Sequence, residues 1–396
     1  MPTARAYLGG TEVTSHVLEG SVTHRWQLNL DEASIRMPSF LTTAGEGVSL
    51  DITLNGALDF SGTVELIEDQ GAEDRIDTIY TAIEPSFIYA SRPARDADGD
   101  FSDPSFFEVF ATGPQIFQEI FNNSIVYEGA MGVTFGSAAG GGVNLRGAPT
   151  NWPMYLSQVG AWLSSTGQVD FVHTPTGGGT SRLDVYNGDF GADTGFQLNF
   201  ATGSTSNCKG CRRTVDLREI CNKKWDYLGP RKNQQQWWGG NITGSVDLPG
   251  GAGNPLNSPP YAADQSIIMA AVYASRAAYR TRMEIEHFDQ FSNSLEAAVG
   301  KPFYLRRWQA ESWLRARPKI MVELTPHGGV IPTFKCGDKI NVTAGPRFRG
   351  GFSGSQRVME YSYRWGTEGV IELGTPVGAT TGAPSVFVTT SAEKPS

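Results

Sequence analysis

Apolar residues near the start of the chain recur at every second position, not every third or fourth. Val48, Leu50, Ile52 and Leu54 alternate with polar neighbours, Asn55-Gly56 follows, and Leu58, Phe60, Gly62, Val64 and Leu66 resume the same period. This pattern predicts a hairpin with one buried face, turned by a type I′ pair because Asn and Gly accept left-handed backbone most readily. Upstream, Val13, Val17, Val22, Trp26, Leu28 and Ile35 lead into a loop over Pro38–Glu46, and Tyr80–Tyr89 also reads as strand. A half-buried sheet must cover its edges. The candidate partner strands lie some three hundred residues away, at Ile320, Val322 and Leu324, at Ile340 and Val342, at Val358 and Tyr361, and at Val370, Ile371 and Leu373.

Between these β-rich ends the period changes. Phe106, Val109, Phe110, Ile116, Phe117, Ile120 and Phe121 stand at helical spacing and predict two short helices interrupted at Gly113-Pro114. Gly136–Gly142 reads as a linker. Trp152, Met154, Leu156, Val159, Trp162 and Leu163 predict an amphipathic helix ending at Gly167, and Val169–His173 pairs with Arg182–Tyr186 across Gly177-Gly178-Gly179. Asn233 to about residue 262 is a long loop containing Trp237-Trp238. Asp264 caps a helix through Ala274, Met283, Ile285 and His287 form a strand, and a second helix spans Pro302–Arg317 until Pro318 stops it. After Pro376 the composition is that of an extended tail.

Composition sharpens this picture. The 396 residues include 21 Phe, 13 Tyr and 9 Trp, enough apolar surface for true cores, and no run of eighteen apolar residues or basic-then-apolar leader occurs. A net charge of −9 argues against a nucleic-acid binder, which needs a basic footprint. The charge is uneven: residues 205–232 carry +5 and 301–319 another +5, leaving −19 for the rest. Such asymmetry suits packing of basic against acidic surfaces between copies or partners, or simply two solvated faces.

Catalytic signatures are absent. His16, His24, His173, His287 and His327 are scattered, with no HExxH pair and no Gly-x-Ser-x-Gly elbow. Asp96, Asp98 and Asp100 alternate like the first ligands of a calcium loop, but Phe101 stands where that loop needs Gly and Phe107 where it needs Glu. An Asx-rich connection is the competing reading. Cys208 and Cys211 have CxxC spacing with Cys221 ten residues on and Cys336 remote; zinc, an iron–sulfur cluster and free thiols all remain open for them. Trp237 and Trp238 suit a sugar, a neighbouring subunit or packing under their own loop.

Several strings carry a family resemblance: Arg92-Pro93-Ala94-Arg95-Asp96-Ala97-Asp98-Gly99-Asp100-Phe101, Thr112-Gly113-Pro114-Gln115-Ile116, Ser165-Thr166-Gly167-Gln168-Val169-Asp170, Val185-Tyr186-Asn187-Gly188-Asp189, Arg212-Arg213-Thr214-Val215-Asp216, Asn222-Lys223-Lys224-Trp225, Tyr227-Leu228-Gly229-Pro230, Arg315-Ala316-Arg317-Pro318 and Phe348-Arg349-Gly350-Gly351-Phe352-Ser353-Gly354. Together they resemble the minor tail proteins of actinobacteriophages, which are similar to baseplate hub subunits. The resemblance implies a mainly β, α+β fold with two tube-protein-like β-barrel domains around an α/β part. The expected division is an N-terminal barrel over 1–104, an α/β domain over 105–190, a second hub domain over 191–318, a closing β segment over 319–377 and a tail over 378–396.

In function, the resemblance implies a siphovirus tail-tip hub in the virion, made in the host cytoplasm, without cofactor, catalysis or stable membrane insertion. Three copies would form a ring between the hexameric tail tube end and threefold tip components. Its partners would be its own copies, a distal tail protein or tail tube, the tape measure protein and a central fibre, with genomic DNA only in transit. Arg212, Arg213, Arg315 and Arg317, with Trp237 and Trp238, are the interface candidates. The competing class is a virion-associated glycan-cleaving or glycan-binding protein, because paired carboxylates meet in space without leaving a sequence signature.

Overall fold

The computed structural model of the protein describes residues 3–39, 45, 47–72, 75–95, 112–139, 154–164, 169–186, 190–200, 206–218, 220–228, 273–288, 319–327, 333–345, 352–366 and 371–381. The fold is mainly β, as expected, a curled half-barrel sheet with an α/β unit inserted. The N-terminal strands are β1 (Ala4–Leu8), β2 (Thr11–Glu12), β3 (Glu19–Arg25), β4 (Glu32–Pro38), β5 (Ser49–Leu54), β6 (Ala57–Ala72) and β7 (Arg75–Ile83). The β5–β6 turn is the predicted one: Asn55 and Gly56 have φ of 54° and 84°, both left-handed. Alternation holds in β3, where Gly20, Val22 and His24 are buried, and in β4, where Ala33, Ile35 and Met37 are buried.

The α/β unit comprises α1 (Gly113–Glu128), β8 (Val133–Ala138), α2 (Leu156–Ser164), β9 (Asp170–Pro175) and β10 (Ser181–Tyr186). β10 lies centrally, parallel to β8 and antiparallel to β9. Phe117, Phe121, Leu163, Phe171 and Val185 form a core separate from that of the large sheet. The expected break at Gly113-Pro114 coincides with the start of α1: Pro114 lacks an N–H that the first turn would not use, and the Gln115 side chain accepts the Thr112 N–H at 3.0 Å, while the first of the two expected helices lies outside the described residues. Two expectations are corrected here. Gly136 to Ala138 belong to β8, not to a linker. Past Ile83 the chain leaves the strand, and Pro85–Ala90 forms a 3₁₀ helix, Pro85 having no donor for a ladder.

The second half supplies β11 (Asp193–Phe200), β12 (Cys208–Asp216), β13 (Lys223–Leu228), β14 (Met283–Phe288), β15 (Lys319–Pro326), β16 (Lys339–Ala344), β17 (Phe352–Arg357), β18 (Glu360–Gly366) and β19 (Ile371–Thr381). A short helix over 273–279 leads into β14. The distant partner strands come home. β18 pairs antiparallel with β3, Tyr363 opposite Val22, so that one sheet of eleven strands runs β12-β15-β19-β18-β3-β4-β7-β6-β5-β1-β2. β11, β16 and β17 form a second sheet of three, and their Leu198, Ile340 and Val342 share the large sheet's core with Val22, Ile35 and Tyr363. Val358 is buried but lies between β17 and β18, and β19 continues past Pro376 to Thr381, where it pairs with β15. The candidates at Asp96, Asp98, Asp100, Trp237, Trp238, Arg315 and Arg317, the segments 105–111 and 264–272, the 302–317 helix and the tail beyond 381 lie outside the described residues.

Candidate functional site

Three buried polar side chains, His24, Asp170 and Arg357, come from the large sheet, the α/β unit and the β11–β16–β17 sheet respectively. His24 is at the centre. It occupies a core-facing position of β3, two residues after Val22, and its side chain is almost wholly buried. Asp31, at the head of β4, accepts from Nδ1 at 2.7 Å, and Asp59 of β6 lies 2.9 Å from Nε2. Tyr363 of β18 donates its hydroxyl to Asp59, the Arg25 N–H donates to Asp31 at 2.6 Å, and Tyr361 packs over the imidazole at 4.8 Å.

Burial alone would lower the His24 pKa, but the Asp31 and Asp59 carboxylates beside it override that and hold it up to about 10. Asp59 is pushed up by burial, yet His24 and the Tyr363 hydroxyl bring it below the ordinary carboxylate value. For Asp31 burial wins over His24, and its pKa is raised. The result is an imidazolium clasped between two carboxylates, tying β3, β4, β6 and β18 together.

A second clasp lies beside the first. Arg357, at the end of β17, is 1% exposed, and its Nη2 lies 3.3 Å from Asp170 of β9, which is 0% exposed. The guanidinium also donates from Nε to the Gly337 carbonyl at 2.8 Å, donates to the Phe190 carbonyl, and stacks 4.5 Å over Trp26. Asp170 accepts in addition from Gln27 Nε2 at 2.8 Å and from the Phe190 N–H at 3.1 Å. Burial raises the Asp170 pKa against the pull of Arg357. Gly337 is placed by steric necessity: its φ is 93°, and a Cβ there would sit 2.2 Å from the Trp26 ring.

A third tie joins the Gly177–Gly179 turn to the N-terminal hairpin. The Gly178 N–H donates to Asp51 at 2.9 Å, the Gly179 N–H to the Ser61 hydroxyl at 3.0 Å, and Ser61 in turn to Asp51 at 2.6 Å. Between the ties remains a cavity of about 290 Å³, bordered by Asp59, Glu84, His173, Tyr186 and Phe190. His173 Nδ1 stands 2.7 Å from Glu84 Oε1, outside hydrogen-bonding direction.

Chemically the His24 clasp is built to hold its strands together. Glycosidic carboxylates face each other across about 5–9.5 Å of space that admits a sugar or water. Asp31 and Asp59 face each other across an imidazole whose two nitrogens both have partners. The nearby Cys336 thiol is pushed by burial well above its usual pKa, the opposite of what a nucleophile needs.

Of the residues singled out from sequence, Arg212 and Arg213 are adjacent on β12, opposite Glu323 and Val322 of β15. Cys208 and Cys211 lie on the same strand against the large core, with Lys209 bulged between Cys208 and Gly210. Cys221 precedes β13, and Cys336 packs on that core. None of the four is in a disulfide, and among the described residues no three His, Cys, Asp or Glu side chains are grouped to hold a metal. No helix among the described residues is long and apolar enough to cross a membrane.

No family model and no curated protein matches this chain in sequence. Solved structures match it in fold over nearly its whole length. It is similar to the tail protein from Neisseria meningitidis MC58, at 11% identity and a TM-score of 0.61 over 97% of this chain and 99% of that one. It is likewise similar to the 43 kDa tail protein of prophage MuSo2 from Shewanella oneidensis, at 12% identity and 0.60 over the same shares. A third likeness is to the prophage tail protein gp18 from Listeria monocytogenes EGD-e, at 10% identity and 0.53 over 96% and 95%. At such identities the likeness is one of fold.

Proposed function

We propose that this protein is a structural subunit of a phage tail, a hub at the tail tip of a siphovirus of the kind found in actinobacteria. The observation that supports this most is the end-to-end fold likeness to tail proteins of nearly equal length, with the α/β unit included. The buried joint suits the role: three polar ties fix the angle between the parts of the subunit, as a ring that bears load requires. Three copies form a ring joining the tube end, through a distal tail protein, to the threefold tip and fibre, with the tape measure protein and, during ejection, DNA passing along its axis. Its place is the virion, after synthesis in the host cytoplasm.

An acidic overall charge fits a channel that must let DNA slide, since cationic walls would hold the phosphates. Basic residues then belong at contacts between subunits, with Arg212, Arg213, Arg315 and Arg317 as the interface cations and Trp237 and Trp238 as aromatic anchors. Native mass spectrometry of the purified full chain tests the reading. A species three times the 42.8 kDa subunit is expected, and replacing the four arginines by Glu should abolish it. A chain that stays monomeric at every concentration overturns the proposal.

A further inference from the structure

The outer half of the β6–β7 hairpin takes no part in the joint. β5 accompanies β6 only as far as Thr63, with Val48 and Gly47 still bonding Val64. The register then shifts, leaving Glu65 as an extra residue, and β6 runs on to Ala72 with β7 beside it. A bulge at this point turns the strand away from the barrel. β4 covers the β7 side of the arm as far as the Pro38–Asp77 pair. The other edge, from Leu66 to Ala72, has no strand partner among the described residues. Seven residues of strand extend about 23 Å.

Unaccompanied edges are normally blunted by Lys, Pro or other charges, because they otherwise recruit another strand, and the charges on this one are Glu68 and Asp69, which repel a like edge but not a basic one. Leu66 to Ala72 contains neither Lys nor Pro. It carries exposed apolar groups instead: Leu66 on the outer face is 55% exposed, and Ile76, opposite Gly71 on the inner face, is 53% exposed. Nearer the base, Ile67 and Tyr80 on the inner face pack into the core, so the exposure begins where the barrel ends.

Charge decides what can sit there. Glu65, Glu68 and Asp69 are all exposed along the arm. Two such edges laid against each other would oppose like charges, which disfavours pairing of identical surfaces about a twofold axis. A basic occupant is required, and the chain carries one. At the opposite end of the same sheet, β12 lies in the +5 stretch over 205–232 and presents Lys209 and Arg212 to solvent, with Val215 at 44% and Leu217 at 37% exposure alongside.

We infer that the acidic arm of one copy is received by the β12 surface of a second copy, a head-to-tail contact that repeats until the ring closes. The inference rests on the multi-copy hub reading and adds the two surfaces that meet. The test uses the purified full chain in analytical ultracentrifugation, with thermal unfolding as a control on folding. Glu65→Lys with Glu68→Lys should lose the assembled species while the unfolding midpoint stays within the wild-type range, and Lys209→Glu with Arg212→Glu should lose it too, with a modestly lower midpoint because Arg212 stands opposite Glu323. All four substitutions in one chain should restore assembly, because the charges are exchanged and not removed. Arm variants that assemble like the wild type overturn this contact and leave the hub reading standing. If each pair abolishes assembly but the fourfold variant does not recover it, the arm does not meet β12. A wild-type chain that never assembles removes the hub reading and this inference together.

Discussion

A single histidine in a strand sets the strongest pH dependence this structure offers. With His24 held up to about 10 in the fold and near 6.5 in the unfolded chain, its contribution is complete below pH 6.5 and is lost as pH rises towards 10. Asp59 acts at the other end: its lowered pKa gives stability that disappears as pH falls below the ordinary carboxylate range. Denaturant midpoints measured from pH 6.5 to 8.5, before the buried tyrosines and thiols intervene, should fall steadily in the wild type. In His24→Gln they should be lower throughout and nearly flat. His24→Ala strands two buried carboxylates and should cost about 3–5 kcal/mol, read as a shift in the same midpoints.

The histidine was partly legible, since it shares strand parity with Val22 on a face otherwise apolar, and a polar residue at such a position asks for partners. Its partners were not, because Asp59 lies 35 residues on and Tyr363 joins from the far end of the chain. Arg357 gave no sign at all. The Phe-Ser-Gly-Ser-Gln-Arg sequence of β17 has no clear alternation, and Asp170 is 187 residues away.

Elements were read well where the period was sustained and poorly where proline and glycine decided. The β5–β6 hairpin followed from alternation plus Asn55-Gly56, whereas the strand read over Tyr80–Tyr89 ran across Pro85, which has no donor for the ladder and opens a 3₁₀ helix. Two turn glycines separate the reasons for having one. Gly56→Ala meets only backbone strain, since nothing lies within 4 Å of a Cβ there, and should cost about 1 kcal/mol. Gly337→Ala adds a collision with the Trp26 ring and should cost about 2–4 kcal/mol. Equilibrium unfolding of the two variants side by side measures the difference, and equal losses would show that Trp26 yields.

For the molecule as a whole, the joint predicts a dependence of shape on one ion pair. Arg357→Met leaves Asp170 buried without its cation and should cost about 3–5 kcal/mol; adding Asp170→Asn should recover a large part of it, and small-angle scattering should show the wild-type profile return with it. The closure of the sheet, β18 on β3, has a consequence for biosynthesis. When the ribosome has finished β3, the strand that completes it is more than three hundred codons from being read. At elongation speeds of about 5–20 residues per second, the nascent half-sheet waits on the order of 20–70 s with an open flank. The α/β unit is read during that interval, and a premature stop anywhere before Glu360 leaves the flank permanently unsealed.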